Sequence, residues 1–131
     1  MKSSSIEAIE TNFAPNPVGP YNQAILVENY LYCSGQIALD PSTGAMVGNG
    51  NIEEETRQVL KNLMAVVEAA GGKSSAVIRT TIYLTDLNDF AKVNDVYSRY
   101  FNNDNAPARE TIAVKTLPKS VRVEISMIAV K

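Results

Sequence analysis

The stretch "NIEEETRQVLKNLMAVVEAAGG", residues 51–72, constrains the fold most. Val59, Leu60, Leu63, Met64 and Val67 recur at spacings of three and four, which places them on one stripe of an α-helix. Asn51 supplies an N-cap, and Glu54 stands three residues on as a capping-box partner. Acidic residues fill the first turn, where the helix dipole favours them. Gly71 and Gly72 stop the helix. A one-sided helix must bury its stripe, and most of the remaining chain offers strands for it to lie on.

"IEAIE" at 6–10 reads as an edge strand, and "NQAILVENYLYCSGQIAL" at 22–39 as a hairpin turning at Glu28 and Asn29. The β-branched run "AVIRTTIYLT" at 76–85 is a further strand. A second helix is expected over 86–101, with Asp86 as cap, Asp89 in its first turn, and Leu87, Phe90, Val93 or Asn94, Tyr97 and Phe101 at helical spacing. The last two strands fall at about 109–115 and 121–130, joined across Leu117 and Pro118. The proline-rich segment 12–21 is a stiff irregular arm; 40–51 and 102–107 are loops by their Pro, Gly, Asn and Asp content. The order β-β-β-α-β-α-β-β predicts one two-layer α+β domain over residues 1–131, with two helices on one face of the sheet.

The final strand shows what the other face must be. Val121, Val123, Ile125, Met127 and Ala129 point one way; Arg122, Glu124, Ser126, Ile128 and Val130 point the other. The second face is apolar enough to want cover and polar enough to host a site, which predicts an oligomer.

The chain has no histidine and one cysteine, Cys33. Ser-His-Asp triads, Cys-His pairs, histidine metal sites and thiolate zinc cages are thereby excluded, and the carboxylates do not cluster at calcium-loop spacing, so no metal site is expected. Neither a GxGxxG nor a GxxxxGK[ST] motif occurs. The net charge of −2 argues against binding nucleic acid by phosphate neutralisation. No stretch approaches the roughly 18 apolar residues of a membrane span, and the start lacks a secretory apolar core of about 7–15 residues. A cytoplasmic protein is the expectation, with Cys33 an inert core residue. Its chemistry falls to Arg, Glu, Tyr, Ser, Thr, Asn, backbone groups and water.

"GPY" at 19–21, "SGQIALDPSTG" at 34–44, "VEAAGG" at 67–72, "TTIYLTDLNDFAKVNDVY" at 80–97, "PAR" at 107–109 and "LPKSVRVEISMIAV" at 117–130 form an ordered set along nearly the whole chain. Together they resemble the Rid (YjgF) family of reactive-intermediate deaminases. The resemblance implies a chorismate-mutase-like fold with a six-stranded mixed sheet. It also implies a homotrimer packed around a central barrel, with ligand clefts between neighbouring subunits. Catalytic members hydrolyse 2-aminoacrylate, 2-iminopropanoate, 2-iminobutanoate and related enamines or imines to 2-keto acids and ammonia, without a cofactor. The implied partner is a small 2-imino or 2-keto acid, with no nucleic acid and no membrane. Two other readings go with the resemblance: a non-enzymatic keto-acid-binding or chaperone-like trimer and, disfavoured by the charge, an endoribonuclease.

Carried onto this sequence, the resemblance makes Arg109 a fork for the substrate carboxylate; the alternative is a structural ion pair. Glu124 would hold or activate water, or else pair with Arg109 or Arg122. The Tyr21 phenol would hydrogen-bond substrate or water. Ser34 and Gly35 would bring backbone close to the ligand, Gly35 otherwise marking a bulge. Asn94 would stabilise the site or a subunit interface. Thr111 stands where deaminating members often carry cysteine, and offers a hydrogen bond in place of a thiol. Glu110 follows Arg109 where a small or apolar residue is usual; alternation sends it to the opposite face.

Overall fold

The computed structural model describes residues 6–102, 104 and 106–131. Positions 103 and 105 of the expected loop 102–107, and the first five residues of the chain, lie outside the described residues. In chain order the elements are β1 (Ile6–Ile9), β2 (Ala24–Val27), β3 (Tyr30–Gln36), α1 (Ile52–Ala69), β4 (Val77–Leu84), α2 (Phe90–Tyr97), β5 (Ala108–Ala113) and β6 (Val123–Val130). The strands form one six-stranded sheet in the order β1-β2-β3-β6-β4-β5. Pairing is antiparallel except between β4 and β5, so the sheet is mixed, as expected.

Helix α1 forms where its sequence marks it. The Asn51 Oδ1 accepts the Glu54 N–H at 3.0 Å, which satisfies one free donor of the first turn. The reciprocal half of the capping box is absent, because the Glu54 carboxylate pairs with Arg57 at 3.1 Å instead. At the far end Gly71 adopts φ 89°, and the Gly71 and Gly72 N–H groups donate to Glu68 O and Val67 O, both at 2.9 Å, a Schellman stop. The predicted stripe is buried, with Val59, Leu60, Leu63 and Val67 at 0% exposure. It packs on the β6 face that carries Val123, Ile125, Met127 and Ala129 in one continuous core.

The second helix is shorter than the single element expected over 86–101. Asp86 accepts the Asn88 N–H at 2.9 Å and caps a 3₁₀ turn at Leu87–Asp89, before α2 proper begins at Phe90. After Tyr97 the ladder tightens to three-residue bonds, Arg99 N–H to Val96 O and Tyr100 N–H to Tyr97 O.

Arg122 departs from the simple alternation. It precedes the first ladder residue of β6, and its guanidinium reaches Gly50 O and Asp89 Oδ2, both at 2.8 Å, on the segments that lead into α1 and α2. It therefore does not share the second face with Glu124. Ser126, Ile128 and Val130 do occupy that face, each part-exposed.

Two buried amides tie irregular segments to this frame. The Gln23 Nε2 donates to Thr11 O, Ala14 O and Pro15 O, and its Oε1 accepts the Thr11 N–H at 2.7 Å, pinning the proline-rich arm. The Asn62 Nδ2 donates to Leu39 O at 3.0 Å and its Oδ1 accepts from Gln58 at 2.8 Å, pinning the chain just after β3. Asn62→Ala leaves the Leu39 carbonyl without its side-chain donor. We expect a loss of about 1–3 kcal/mol, read as a lower urea midpoint with an unchanged slope; an unaltered midpoint would remove Asn62 from the frame.

Candidate active site

The register of the sheet sorts the predicted site residues into two groups on opposite faces. On β5, Arg109 lies beside Thr80 and Thr111 beside Ile82. Thr80 and Ile82 are fully buried beneath the helix layer, so Arg109 and Thr111 share that side. Because β5 is an edge strand, the Arg109 side chain emerges next to α2.

There α2 builds a cradle for it. Phe90, Asn94 and Tyr97 follow one another at spacings of four and three along one face of the helix. The Arg109 Nη1 donates to Asn94 Oδ1 at 2.7 Å. Its Cζ lies 4.9 Å from the Tyr97 ring centroid and 5.5 Å from that of Phe90. The Tyr97 hydroxyl is joined to Thr80 Oγ1 at 2.7 Å in a buried bond, which fixes the ring beneath the guanidinium. Burial holds the Tyr97 phenol above its usual pKa. Cation–π contacts of this kind contribute about 0.5–2 kcal/mol and leave the in-plane donors free.

Among the described residues Arg109 forms no ion pair, so the structural-pair alternative finds no carboxylate here. Glu110 sits on the opposite face and pairs with Arg79 at 3.1 Å, well away from the cradle. The Thr111 Oγ1 is buried and has no hydrogen-bond partner among the described residues.

The second group lies on the helix-free face. Glu124 pairs with Tyr83 across β6 and β4 and points away from the core. The β3–β6 register shifts between Cys33 and Gln36, placing Ser34 and Gly35 in a bulge. The bulge brings Gly35 beneath the Glu124 carboxylate. A Cβ at Gly35 would collide with Glu124 Oε2 and lie 3.0 Å from its carboxyl carbon. The bulge expected at Gly35 is present, and it sets Gly35 against the Glu124 carboxylate.

The Ser34 hydroxyl donates to Asn22 O at 2.6 Å and its N–H to Gln23 O at 2.9 Å, which binds the bulge to the segment before β2. A cavity of about 280 Å³ opens beside Glu124, walled mainly by apolar groups from Pro15, Pro17, Val18, Tyr21 and Ile37, with Lys119 also at its wall. The Tyr21 ring is half-exposed, and its hydroxyl accepts the Val18 N–H at 3.4 Å. Lys119 and Ser120 both adopt left-handed backbone, φ 57° and 58°, in the turn that closes the cavity. Burial pushes the Glu124 carboxyl above the usual carboxylate range, and among the described residues it pairs with neither Arg109 nor Arg122. Cys33 is buried and its thiol is pushed up to about 12, which makes it inert at neutral pH.

One chain thus brings Arg109, Asn94 and Thr111 together on one side, and Tyr21, Ser34, Gly35 and Glu124 on the other. The sequence reading missed the supporting roles of Phe90 and Tyr97. Their spacing around Asn94 carried the signal, but the same spacing also marks an ordinary core stripe.

Residues 11–131 match the family model described as Endoribonuclease L-PSP. The chain belongs to this family, the Rid (YjgF) family. A RutC family protein of Synechocystis is 50% identical over 126 residues, covering 96% of this chain and 97% of the relative. The human 2-iminobutanoate/2-iminopropanoate deaminase is 44% identical over 131 residues, covering 100% of this chain and 94% of the relative. Among solved structures, the Escherichia coli protein TdcF with bound serine superposes with a TM-score of 0.89 at 39% identity, covering 95% of this chain and 98% of that one.

The raised Glu124 pKa has a consequence for stability. A carboxyl whose folded pKa exceeds its unfolded value adds stability below the unfolded pKa, and that contribution is lost as pH rises through the folded pKa. Glu124→Gln removes the titration. The variant should be at least as stable as wild type at neutral pH, with the gap closing once pH falls below the ordinary carboxylate range. Denaturant midpoints across pH check this; a gap that widens on acidification would contradict it.

Proposed function

We propose that this protein hydrolyses reactive 2-imino acids, and the 2-amino-enoates that tautomerise to them, to 2-keto acids and ammonia. The observation that carries the reading is the Arg109 guanidinium, held by one amide and two rings without a carboxylate partner. Such a fork is made for a planar anion, and a 2-imino acid carries a carboxylate next to its reactive carbon. The names of the human, rat and mouse relatives as 2-iminobutanoate/2-iminopropanoate deaminases support it. The serine in the related E. coli structure, a small molecule with the same carboxylate, supports it too.

The two residue groups face away from each other within one chain, so the complete site is assembled from two copies. We place Arg109, Asn94 and Thr111 of one subunit opposite Tyr21, Gly35 and Glu124 of its neighbour, in a homotrimer. The mixed helix-free face, with Tyr30, Tyr32 and Ile112 each 45–49% exposed, is the surface such an assembly would cover.

In this site Arg109 fixes the carboxylate, and the Thr111 hydroxyl donates to one of its oxygens. Glu124 takes a proton from a water as that water attacks the imine carbon. Attack on the protonated imine gives a neutral tetrahedral carbinolamine: Glu124 returns its proton to nitrogen, the C–N bond breaks as the hydroxyl oxygen's electrons form the C=O, and the hydroxyl proton passes to the Glu124 carboxylate and on to water as ammonia leaves a 2-keto acid. A carboxyl whose pKa burial raises is a stronger base toward water and can return the proton to nitrogen, and such acid–base help is typically worth about 10²–10⁴-fold. The apolar walls near Tyr21 and Ile37 receive the substrate side chain. Every step uses this chain's own groups and water.

A coupled assay tests the reading. A serine or threonine dehydratase generates the imine, and pyruvate or 2-oxobutanoate is followed. Wild type should accelerate ketoacid release, and Arg109→Ala should lose on the order of 10²-fold or more in kcat/KM. Co-expressed Arg109→Ala and Glu124→Gln chains should recover activity that neither variant shows alone, because some mixed clefts contain both native residues. Equal rates for wild type and Arg109→Ala would overturn the clamp. Wild type that binds 2-oxobutanoate without turnover would make the protein a ligand binder, and failed recovery in the mixture would place the site within one chain.

A further inference from the structure

Arg122 occupies a junction that the catalytic reading leaves unexplained. It stands at the head of β6, two residues before Glu124. Its N–H donates to Glu55 Oε1 at 3.0 Å, and Glu55 is a buried residue of α1. Its carbonyl accepts the Thr85 N–H at 3.2 Å, beyond the end of β4. Its guanidinium donates to Gly50 O and to Asp89 Oδ2, both at 2.8 Å.

The Asp89 contact is the consequential one. The Asp89 side chain is only 10% exposed and makes no cap bond to its own helix. It is adjacent in sequence to Phe90, the first residue of α2. Phe90, Asn94 and Tyr97 are the three α2 residues that hold Arg109. The pair costs desolvation mainly on the Asp89 side, since the Arg122 side chain is 37% exposed, so its geometry rather than its net energy is its plainest contribution. The geometry it fixes is the azimuth and height of the helix on which the Arg109 cradle is built.

We propose that Arg122 and Asp89 are positioning residues for the Arg109 clamp: their ion pair anchors the N-terminus of α2 to the head of β6 and so sets where Arg109 presents its fork. The same anchor ties the cradle to the strand that carries Glu124. This inference deepens the proposed function, but its central claim, the order of Arg109, stands without any substrate.

Two measurements test it on the full-length protein. In the first, the Arg109 Nε–Hε signal is assigned by its absence in Arg109→Lys, and its ¹⁵N relaxation is compared in wild type and Asp89→Asn. We expect a rigid signal in wild type and a mobile one in the variant; equal rigidity overturns the proposal whatever the protein's activity. Arg122→Lys, which keeps the charge and can reach Asp89 with one donor, should retain much of the order where Arg122→Gln loses it; this pair of variants serves where Asp89→Asn melts too early, and equal rigidity in both overturns the proposal.

In the second, 2-oxobutanoate affinity and imine KM and kcat are compared in a cycle of Asp89→Asn with Arg109→Ala. Asp89→Asn should weaken affinity and raise KM about tenfold with kcat nearly unchanged, within the roughly 5–150-fold range of coupling through a packed element. The effect should vanish in the Arg109→Ala background. An equal loss in both backgrounds means general destabilisation and sinks the positioning role. If wild type is inactive and binds no keto acid while Arg109 is rigid only with the ion pair intact, the deaminase reading fails and the positioning inference survives.

Discussion

The alternation of β6 is the constraint on which the rest of this structure depends. The strand lies between β3 and β4 near the middle of the sheet, and Val123, Ile125, Met127 and Ala129 are nearly fully buried beneath the helices. A one-residue slip would turn four apolar side chains out of the core and Glu124 into it, which makes the register costly to change. The core therefore fixes Glu124 on the opposite face. The bulge at Ser34 and Gly35 on the neighbouring strand completes the placement, since a Cβ at Gly35 would push the Glu124 carboxylate from its position. Packing and chemistry are set by one pattern in this strand.

The two residue groups of the proposed site use different physical means. The Arg109 half is built on a helix face, where one hydrogen bond and two aromatic rings hold a cation without neutralising it. That is the arrangement a clamp needs, because a carboxylate partner within the chain would compete with the ligand. The Glu124 half works by desolvation: burial raises the pKa of a carboxyl that forms no ion pair among the described residues. Gln23 is the hidden support of that half. Its one amide holds Thr11, Ala14 and Pro15, and so keeps the arm against the pocket.

Much of this was legible in the sequence. Helix α1 could be read from its stripe, its Asn51 cap and its glycine stop because each signal is local. The opposite facing of Arg109 and Glu110 could be read from alternation alone. The order of strands could not, since the insertion of β6 between β3 and β4 and the parallel pairing of β5 rest on contacts distant in sequence. For that reason the separation of Arg109 from Glu124 emerges only once the sheet is assembled. Gln23 and Asn62 gave no signal because their long-range partners are backbone groups, which carry no residue identity. Arg122 misled because alternation was extended one residue past the true start of the strand, where the backbone no longer obeys it. Helix α2 begins later than expected: Asp89, expected in its first turn, lies in a 3₁₀ turn at Leu87–Asp89 and is held by Arg122, and the α-helix proper starts at Phe90.

A chain without histidine has few groups that exchange protons near neutral pH, and burial is the means available to bring one of them there. Burying a carboxylate without a partner costs stability, and a site that needs one must be supported by structure elsewhere. Here the cost is limited because Glu124 is only partly enclosed within one chain. Closure by a neighbouring subunit would desolvate it further and bring the opposite face's guanidinium toward it. The two changes act in opposite directions on its pKa: further desolvation raises it, and a nearby cation lowers it. A carboxylate substrate bound to Arg109 would neutralise that cation and tip the balance toward the raised value. Glu124 would then be the stronger base when the cleft is occupied, which is when the attacking water must give up a proton that later passes to nitrogen. Assembly and substrate would in this way complete a proton-transfer group that the single chain only prepares.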